Sequence, residues 1–423
     1  MSLHVAILSV HTCPLAVLGG KETGGMNVYI REIARELARM RMRADIFTRS
    51  QNPSIPRVVA LAEGVRVVHL AAGPQAPMAR ERVFDHLDEF VDGVEAFRHA
   101  AGVDYDLIHA HYWLSGAAGL ALRRRWGAPL VQMFHTLGHL KNGATPNGAD
   151  REPDVRLAEE ARIVAAADRL IAATVVERAH LVEHYGAEAS RIAVIPCGVD
   201  TELFAPGEQA TARAALGLGD DPHLLYVGRQ TPIKGLETLL DAMARLRAAG
   251  SRARLSIVGG DADEPLDGHE AALRERLARL GLGAAVTFVG AQPQESLPAW
   301  YVAADATVLP SYYESFGMVA LEAMACGSPV VASRVGGLQT TVRNGVTGLL
   351  VPDHDPAALA DALGRLLADE DLRWRLGREG VRWAAQHRWP CVAEAVCREY
   401  AALVEAATPH LAAGRCQESP TRV

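Results

Sequence analysis

The chain has 423 residues, with 43 Lys and Arg against 50 Asp and Glu, for a formal net charge of −7. That length accommodates two or three cores, and the acid excess offers neither a basic footprint for nucleic acid nor a polybasic membrane anchor. The six cysteines (Cys13, Cys197, Cys326, Cys391, Cys397, Cys416) form no CxxC and no metal-ligand spacing, which points to reduced thiols in a cytoplasmic protein.

His4-Val5-Ala6-Ile7-Leu8-Ser9-Val10 reads as a strand, too short and too poor in basic flanks for a signal peptide or a spanning helix. No other run reaches the roughly 18 apolar residues that an integral membrane segment needs. Ile30, Ile33, Leu37 and Met40 follow at helical spacing. Between strand and helix lie Gly19-Gly20 and Gly24-Gly25, where the amides before Met26-Asn27 can approach a phosphate. The spacing departs from G-x-G-x-x-G, so no nicotinamide site is read here.

Further strands are expected at 44–48, 65–70, 107–110, 130–134, 170–173 and 192–195, with helical patterns between most of them. Such alternation predicts a parallel sheet covered on both faces, with loops 72–77 and 142–153 at strand ends. His109-Ala110-His111-Tyr112-Trp113-Leu114-Ser115-Gly116 follows one strand and Phe134-His135-Thr136-Leu137-Gly138-His139 another. Both fall at carboxyl ends, which turns His111, Tyr112, His135 and Thr136 toward a ligand cleft. A single histidine there is more often structural than catalytic; several polar groups at one mouth shift that balance toward a site.

After a turn-rich connector to Pro222, a second series begins at 224–228, followed by a helix with Leu236, Leu239, Leu240 and Met243 on one face. Strands then follow at 254–258, 286–289, 306–309, 329–332 and 348–351. The expected architecture is therefore two doubly wound α/β domains, 1–199 and 200–388, with the cleft between them. The chain ends in helical segments at 356–367, 371–387 and, past Trp389-Pro390, 392–406; the tail 408–423 lacks apolar periodicity and is expected to be disordered.

Two motifs in the second half carry chemistry. Gly228-Arg229-Gln230-Thr231-Pro232-Ile233-Lys234-Gly235 sets Arg229 and Lys234 above the strands beside a helix start, where a diphosphate can be held. In an unrelated protein they read equally as solvated loop cations. Ser311 to Gly327, SYYESFGMVALEAMACG, places Glu314 in a strand-to-helix turn and Glu322 eight positions on, within the helix. Two such carboxylates can grip two vicinal diols, a sugar and a ribose; on spacing alone they read as well as a solvated pair.

Together these stretches resemble the G-R-x-x-x-x-K-G and E-x7-E motifs of retaining glycosyltransferases of the two-domain GT-B type, the group called GT4. The resemblance covers roughly residues 3–390. It implies that Arg229 and Lys234 neutralise a departing nucleoside diphosphate and that Glu322 binds the ribose. Glu314, with Phe316, Gly317 and Met318, would bind the donor sugar; Gly24, Gly25 and His135 would also face the donor. It further implies a last helix, 389–407, crossing back onto the first domain.

The first-domain motifs are most similar to the branch containing the transferase that adds N-acetylglucosamine to D-inositol 3-phosphate, with sucrose-phosphate synthases as neighbours. By that resemblance Arg80, Tyr112, Thr136 and Arg156 hold an acceptor phosphate and Asn27 touches the acceptor ring. Arg80 stands where the branch has lysine, a planar fork in place of a point charge. Arg156 also reads as half of a surface pair with Glu160.

The expected activity is retaining transfer from a nucleoside-diphosphate sugar, UDP-N-acetylglucosamine in the first instance, to a phosphorylated polyol or sugar. Alternatives are a hexose phosphate acceptor, a nucleotide-sugar epimerase and a non-catalytic nucleotide-sugar binder. No catalytic metal and no cofactor is expected, although a Mg2+ ion travelling with the donor diphosphate is compatible with the pattern. The resemblance also includes homodimers.

Overall fold

A computed structural model of the chain describes residues 3–16, 23–144, 151–260 and 268–415. Its first sheet contains β1 (His4–Leu8), β2 (Arg43–Arg49), β3 (Val58–Ala62), β4 (Val65–Leu70), β5 (Leu107–His111), β6 (Leu130–Met133), β7 (Arg169–Ala172) and β8 (Ile192–Val194). The second contains β9 (His223–Val227), β10 (Arg254–Val258), β11 (Val286–Gly290), β12 (Ala306–Leu309), β13 (Val330–Ser333) and β14 (Gly348–Val351).

The strand orders are β3-β4-β2-β1-β5-β6-β7-β8 and β11-β10-β9-β12-β13-β14. Each order reverses beside its first strand, so each sheet has a switch point where loops part and leave a crevice. Central strands are buried end to end, as β1 is, because helices cover both faces and no side of the strand meets water.

The first sheet differs from the all-parallel expectation at one edge. β3 pairs antiparallel with β4, and 58–62 is exposed or half-buried throughout although its sequence, VVALA, is wholly apolar; it is not among the expected strands.

The helix Gly25–Arg39 buries Val28, Tyr29, Ile30, Ile33, Ala34 and Leu37 along one face. The last helix, Trp389–Arg415, crosses back and packs on it. Trp389, Val392, Ala393, Val396 and Tyr400 repeat at helical spacing, and all are buried. The Trp389 ring meets Tyr29 edge-on at 5.7 Å. This helix runs to Arg415, beyond the expected 407, which corrects the forecast for 408–415. Residues 416–423, like Gly19 and Gly20, lie outside the described residues.

Among the described residues, Cys13, Cys197, Cys326, Cys391 and Cys397 are free thiols, and no helix is long and apolar enough to cross a membrane. The Trp389 contact can be tested by truncation. Trp389→Ala should cost about 3–5 kcal/mol in urea unfolding, as other large-to-small core changes do; a loss below about 1 kcal/mol would mean that the crossing helix is not held there.

Candidate functional site

The carboxyl ends of β1, β5 and β6 supply the first wall. His11 lies just past β1, Tyr112 directly after β5, and His135 two residues past β6. Tyr112 (φ 75°) and His135 (φ 61°) both adopt the left-handed backbone region. That strain in non-glycine residues is held only where surrounding contacts over-determine it, which is common at ligand sites.

Arg156 joins this wall together. It is fully buried, and its Nη1 donates to Tyr112 Oη at 2.9 Å while its Nη2 donates to Thr136 O and Oγ1 at 2.8 and 3.0 Å. Its Nε donates to Glu160 at 2.8 Å, and Nη1 pairs with Glu152 at 2.9 Å. Four of these contacts are hydrogen bonds, and the fifth pairs the guanidinium with a second buried carboxylate. Glu160 in turn accepts from the Gly138 amide at 2.9 Å, which fixes the loop after His135. Arg80, at the start of the helix Arg80–Phe84, donates to the same Tyr112 hydroxyl at 3.2 Å.

Arg80, Tyr112, Thr136 and Arg156 are thus one connected group. Arg156 is neither the surface pair that its spacing allowed nor open to a ligand at its nitrogens; it braces the two hydroxyl-bearing residues in front of it. Asn27, expected against the acceptor ring, is likewise turned inward. It is 1% exposed, and its Nδ2 donates to Thr12 Oγ1 at 2.8 Å and Cys13 O at 2.7 Å. Its Oδ1 accepts from the Gly24 amide at 3.1 Å, so it ties the glycine turn to the loop after β1.

The second wall comes from the loops after β9 and β12. Gly235 (φ 68°) allows the turn to close, since a Cβ there would lie 2.1 Å from Pro310 O. The two loops therefore touch, and Lys234 Nζ reaches Glu314 Oε2 at 2.5 Å. Gly317 (φ 88°) begins the helix Met318–Ala325, and the Glu314 carbonyl accepts from the Gly337 amide at 2.8 Å. Phe316 is held by Thr341, whose hydroxyl donates to Phe316 O at 2.6 Å.

Glu322 is deeper than its motif suggested. It is 7% exposed, accepts from Tyr301 Oη at 2.8 Å, and burial raises its carboxyl to about 7. Arg229 follows β9, and its carbonyl accepts from Tyr226 Oη at 2.6 Å.

The walls meet at named points. The Leu137 amide donates to Tyr313 Oη at 3.3 Å, Arg31 donates to Gln294, and a Cβ on Gly25 would lie 3.1 Å from Met318 Sδ. His11, absent from the sequence reading, reports the electrostatics of this mouth. Burial first, then the charges of Arg80, Arg156 and Arg229, hold its imidazole down at about 3. Cations from both halves therefore act on one neutral ring, which packs 4.5 Å from Tyr112. Glu152, Tyr301 and Tyr313 were also missed as members of the site. Position at a strand's carboxyl end could have flagged His11; nothing local marks the others, which arrive from distant segments.

Two facing α/β halves with ligand-binding loops at the carboxyl ends of both sheets define the GT-B architecture. The pattern described as Glycosyltransferase Family 4 matches residues 23–203, and that of Glycosyl transferases group 1 matches 208–383. The D-inositol 3-phosphate glycosyltransferase of Acidothermus cellulolyticus is 45% identical over 420 residues, covering 96% of this chain and 93% of its own. Among solved structures, sucrose-phosphate synthase from Thermosynechococcus elongatus aligns with a TM-score of 0.89 and 39% identity, covering 96% of this chain and all of its own. HepE of Anabaena, solved with UDP and glucose, has a TM-score of 0.74 and 22% identity over 95% of this chain and 100% of its own, a likeness of fold. The chain belongs to the GT4 family of glycosyltransferases.

Burial pushes the Glu152 carboxyl up, but Arg156 and Lys141 outweigh it and hold Glu152 down at about 2. A carboxylate depressed on folding stabilises the protein above its unfolded pKa, and that contribution is lost as pH falls from about 4.5 toward 2. Arg156→Met should therefore cost about 3–5 kcal/mol at neutral pH by leaving buried Glu160 without its cation and Glu152 with Lys141 alone. Urea midpoints should also show the deficit shrinking as pH is lowered to about 4; a constant deficit would mean that the ion pairs are not its source.

Proposed function

We propose that this glycosyltransferase moves a sugar from a uridine diphosphate donor, UDP-N-acetylglucosamine in the first instance, to D-inositol 3-phosphate with retention of configuration. The observation that carries the reading is the meeting of the two walls, Leu137 on Tyr313 and Gly25 against Met318, with Arg80 at the Tyr112 hydroxyl on one side and Lys234 paired with Glu314 on the other. A mouth flanked by cations from both walls suits a reaction with a phosphate on each partner. The relative from Acidothermus carries the same acceptor in its name, and the uridine nucleotide is the one bound by HepE.

In this reading Tyr112 and Thr136 offer hydroxyls to the acceptor phosphate and Arg80 its guanidinium, with Arg156 fixing both hydroxyls from behind. Arg229 and Lys234 face the donor diphosphate and stabilise the charge that grows there as the glycosidic bond breaks, with or without a magnesium ion carried by the diphosphate. The Lys234–Glu314 pair holds both groups in place before the donor arrives; Glu314 then accepts from donor-sugar hydroxyls. The acceptor hydroxyl attacks from the face the diphosphate leaves, and the departing phosphate oxygen takes its proton. His135 stands at the donor sugar, and contact between the two walls excludes water that would otherwise hydrolyse the donor.

The 39% identical sucrose-phosphate synthase and the forked Arg80 favour a hexose phosphate as the second reading. An acceptor panel with products identified by mass and anomeric configuration separates the two. Inositol 3-phosphate should exceed fructose 6-phosphate in kcat/KM by about tenfold or more. The reverse ranking would install the second reading, and epimerised donor with neither acceptor consumed would end the case for transfer. Arg80→Met should raise the acceptor KM about tenfold or more while leaving UDP affinity unchanged.

Glu322 supplies a pH dependence. Only the ionised carboxylate can accept from two ribose hydroxyls, so UDP-sugar affinity should climb between about pH 6 and about pH 8 as the group titrates near 7. Calorimetry should show that rise flattened in Glu322→Gln; an unchanged slope would move the ribose away from Glu322.

A further inference from the structure

Behind His135 lies a line of buried side chains that the reaction does not use directly. His135 Nε2 is 2.9 Å from His111 Nδ1. The His111 ring lies on His109, centroids 4.1 Å apart. His109 Nδ1 is 2.5 Å from the hydroxyl of Tyr400 on the crossing helix. His109 and His111 have no exposure to water, nor does Tyr400. Burial holds all three imidazoles far below the ordinary histidine range, so each ring carries one proton on one of two nitrogens.

The contact between His111 and His135 allows two arrangements. Either His111 donates from Nδ1 and His135 accepts at Nε2, or the proton sits on His135 Nε2 and His111 accepts. The other nitrogen of His111 decides between them. Nε2 of His111 is buried with no hydrogen-bond partner among the described residues. In the second arrangement it would carry a hydrogen pointing at nothing. Orphaned buried N–H groups are rarer than buried acceptors left short of a partner, so the first arrangement is favoured.

We propose that His111 is the positioning residue that sets the tautomer of His135, keeping the His135 proton on Nδ1 so that this nitrogen is a hydrogen-bond donor on the ligand side of the site. Ring orientation has separate supports: the backbone of His135 at φ 61° and the Tyr29 ring, edge-on at 5.4 Å. His111 therefore contributes the choice of nitrogen more than the placement of the ring. The consequence is chemical. A neutral donor N–H meets an oxygen of the sugar, where the other tautomer would offer a lone pair and require a hydroxyl hydrogen. This catalytic consequence rests on the proposed place of His135 at the donor sugar, whereas the tautomer is a property of the resting protein.

The two can be separated by experiment. Full-length protein labelled with 15N-histidine, with the His135 signals assigned through His135→Gln, gives the tautomer from two-bond proton-nitrogen correlations. The Nδ1-protonated pattern is expected in the unmodified protein. It should give way to a mixture in His111→Leu and return in His111→Asn, whose amide nitrogen falls near the position of Nδ1. An Nε2-protonated pattern in the unmodified protein overturns the proposal even if no variant folds, and an unchanged pattern in His111→Leu overturns it as well. Turnover should fall about tenfold or more in His111→Leu with donor KM within about twofold, and should recover in His111→Asn. If the tautomer shifts while turnover stays constant, the proposal stands and His135 is removed from the donor sugar.

Discussion

A guanidinium with no access to water holds the first wall of this site together. Arg156 makes its contacts inside the protein, with two carboxylates, a tyrosine hydroxyl and both oxygens of Thr136. Burying that charge is tolerable because Glu152 and Glu160 are buried beside it and four hydrogen bonds hold it. The same network fixes the hydroxyls of Tyr112 and Thr136, and through Glu160 the amide of Gly138. Placement of the groups that face the ligand is thus tied to a structural ion cluster whose loss would be felt in stability first.

The second wall follows a different principle. Arg229, Lys234 and Glu314 sit in half-buried loops, and close backbone approaches position those loops: Gly235 against Pro310, and the Glu314 carbonyl against the Gly337 amide. Lys234 and Glu314 neutralise one another across the gap between two loops. One wall is rigid through buried charge, the other through backbone geometry. Between them lies His11, kept neutral by burial and by the cations of both.

Much of the architecture was legible in the sequence because parallel strands buried on both faces read as short apolar runs and the helices between them show a clear repeat. β3, VVALA, was missed although it is as apolar as the strands that were read; its place at the edge and its antiparallel direction come from its pairing with β4. The donor motifs were legible because each is confined to one strand, one turn and one helix start. Arg80, Tyr112, Thr136 and Arg156 could be named singly, yet their division of labour could not: chain distance says nothing about which nitrogen of Arg156 is already taken. Asn27 shows the same limit, since an asparagine at a helix start serves the loop before it as readily as a ligand, and here Thr12 and Cys13 take its amide hydrogens.

By itself, the sequence determined the family, the two α/β halves and the local motifs that set Arg229, Lys234, Glu314 and Glu322 near helix starts, because those features depend on side chains within about twenty residues of one another. Tertiary structure alone decided which of these groups are spent on the protein and which face the cleft. It also brought His11, the His109–His111–His135 line and Tyr400 of the crossing helix together. The physical reason is that burial and hydrogen-bond saturation are properties of assembled neighbours. A residue's type announces what it can donate or accept, and only the completed packing shows what remains to be offered.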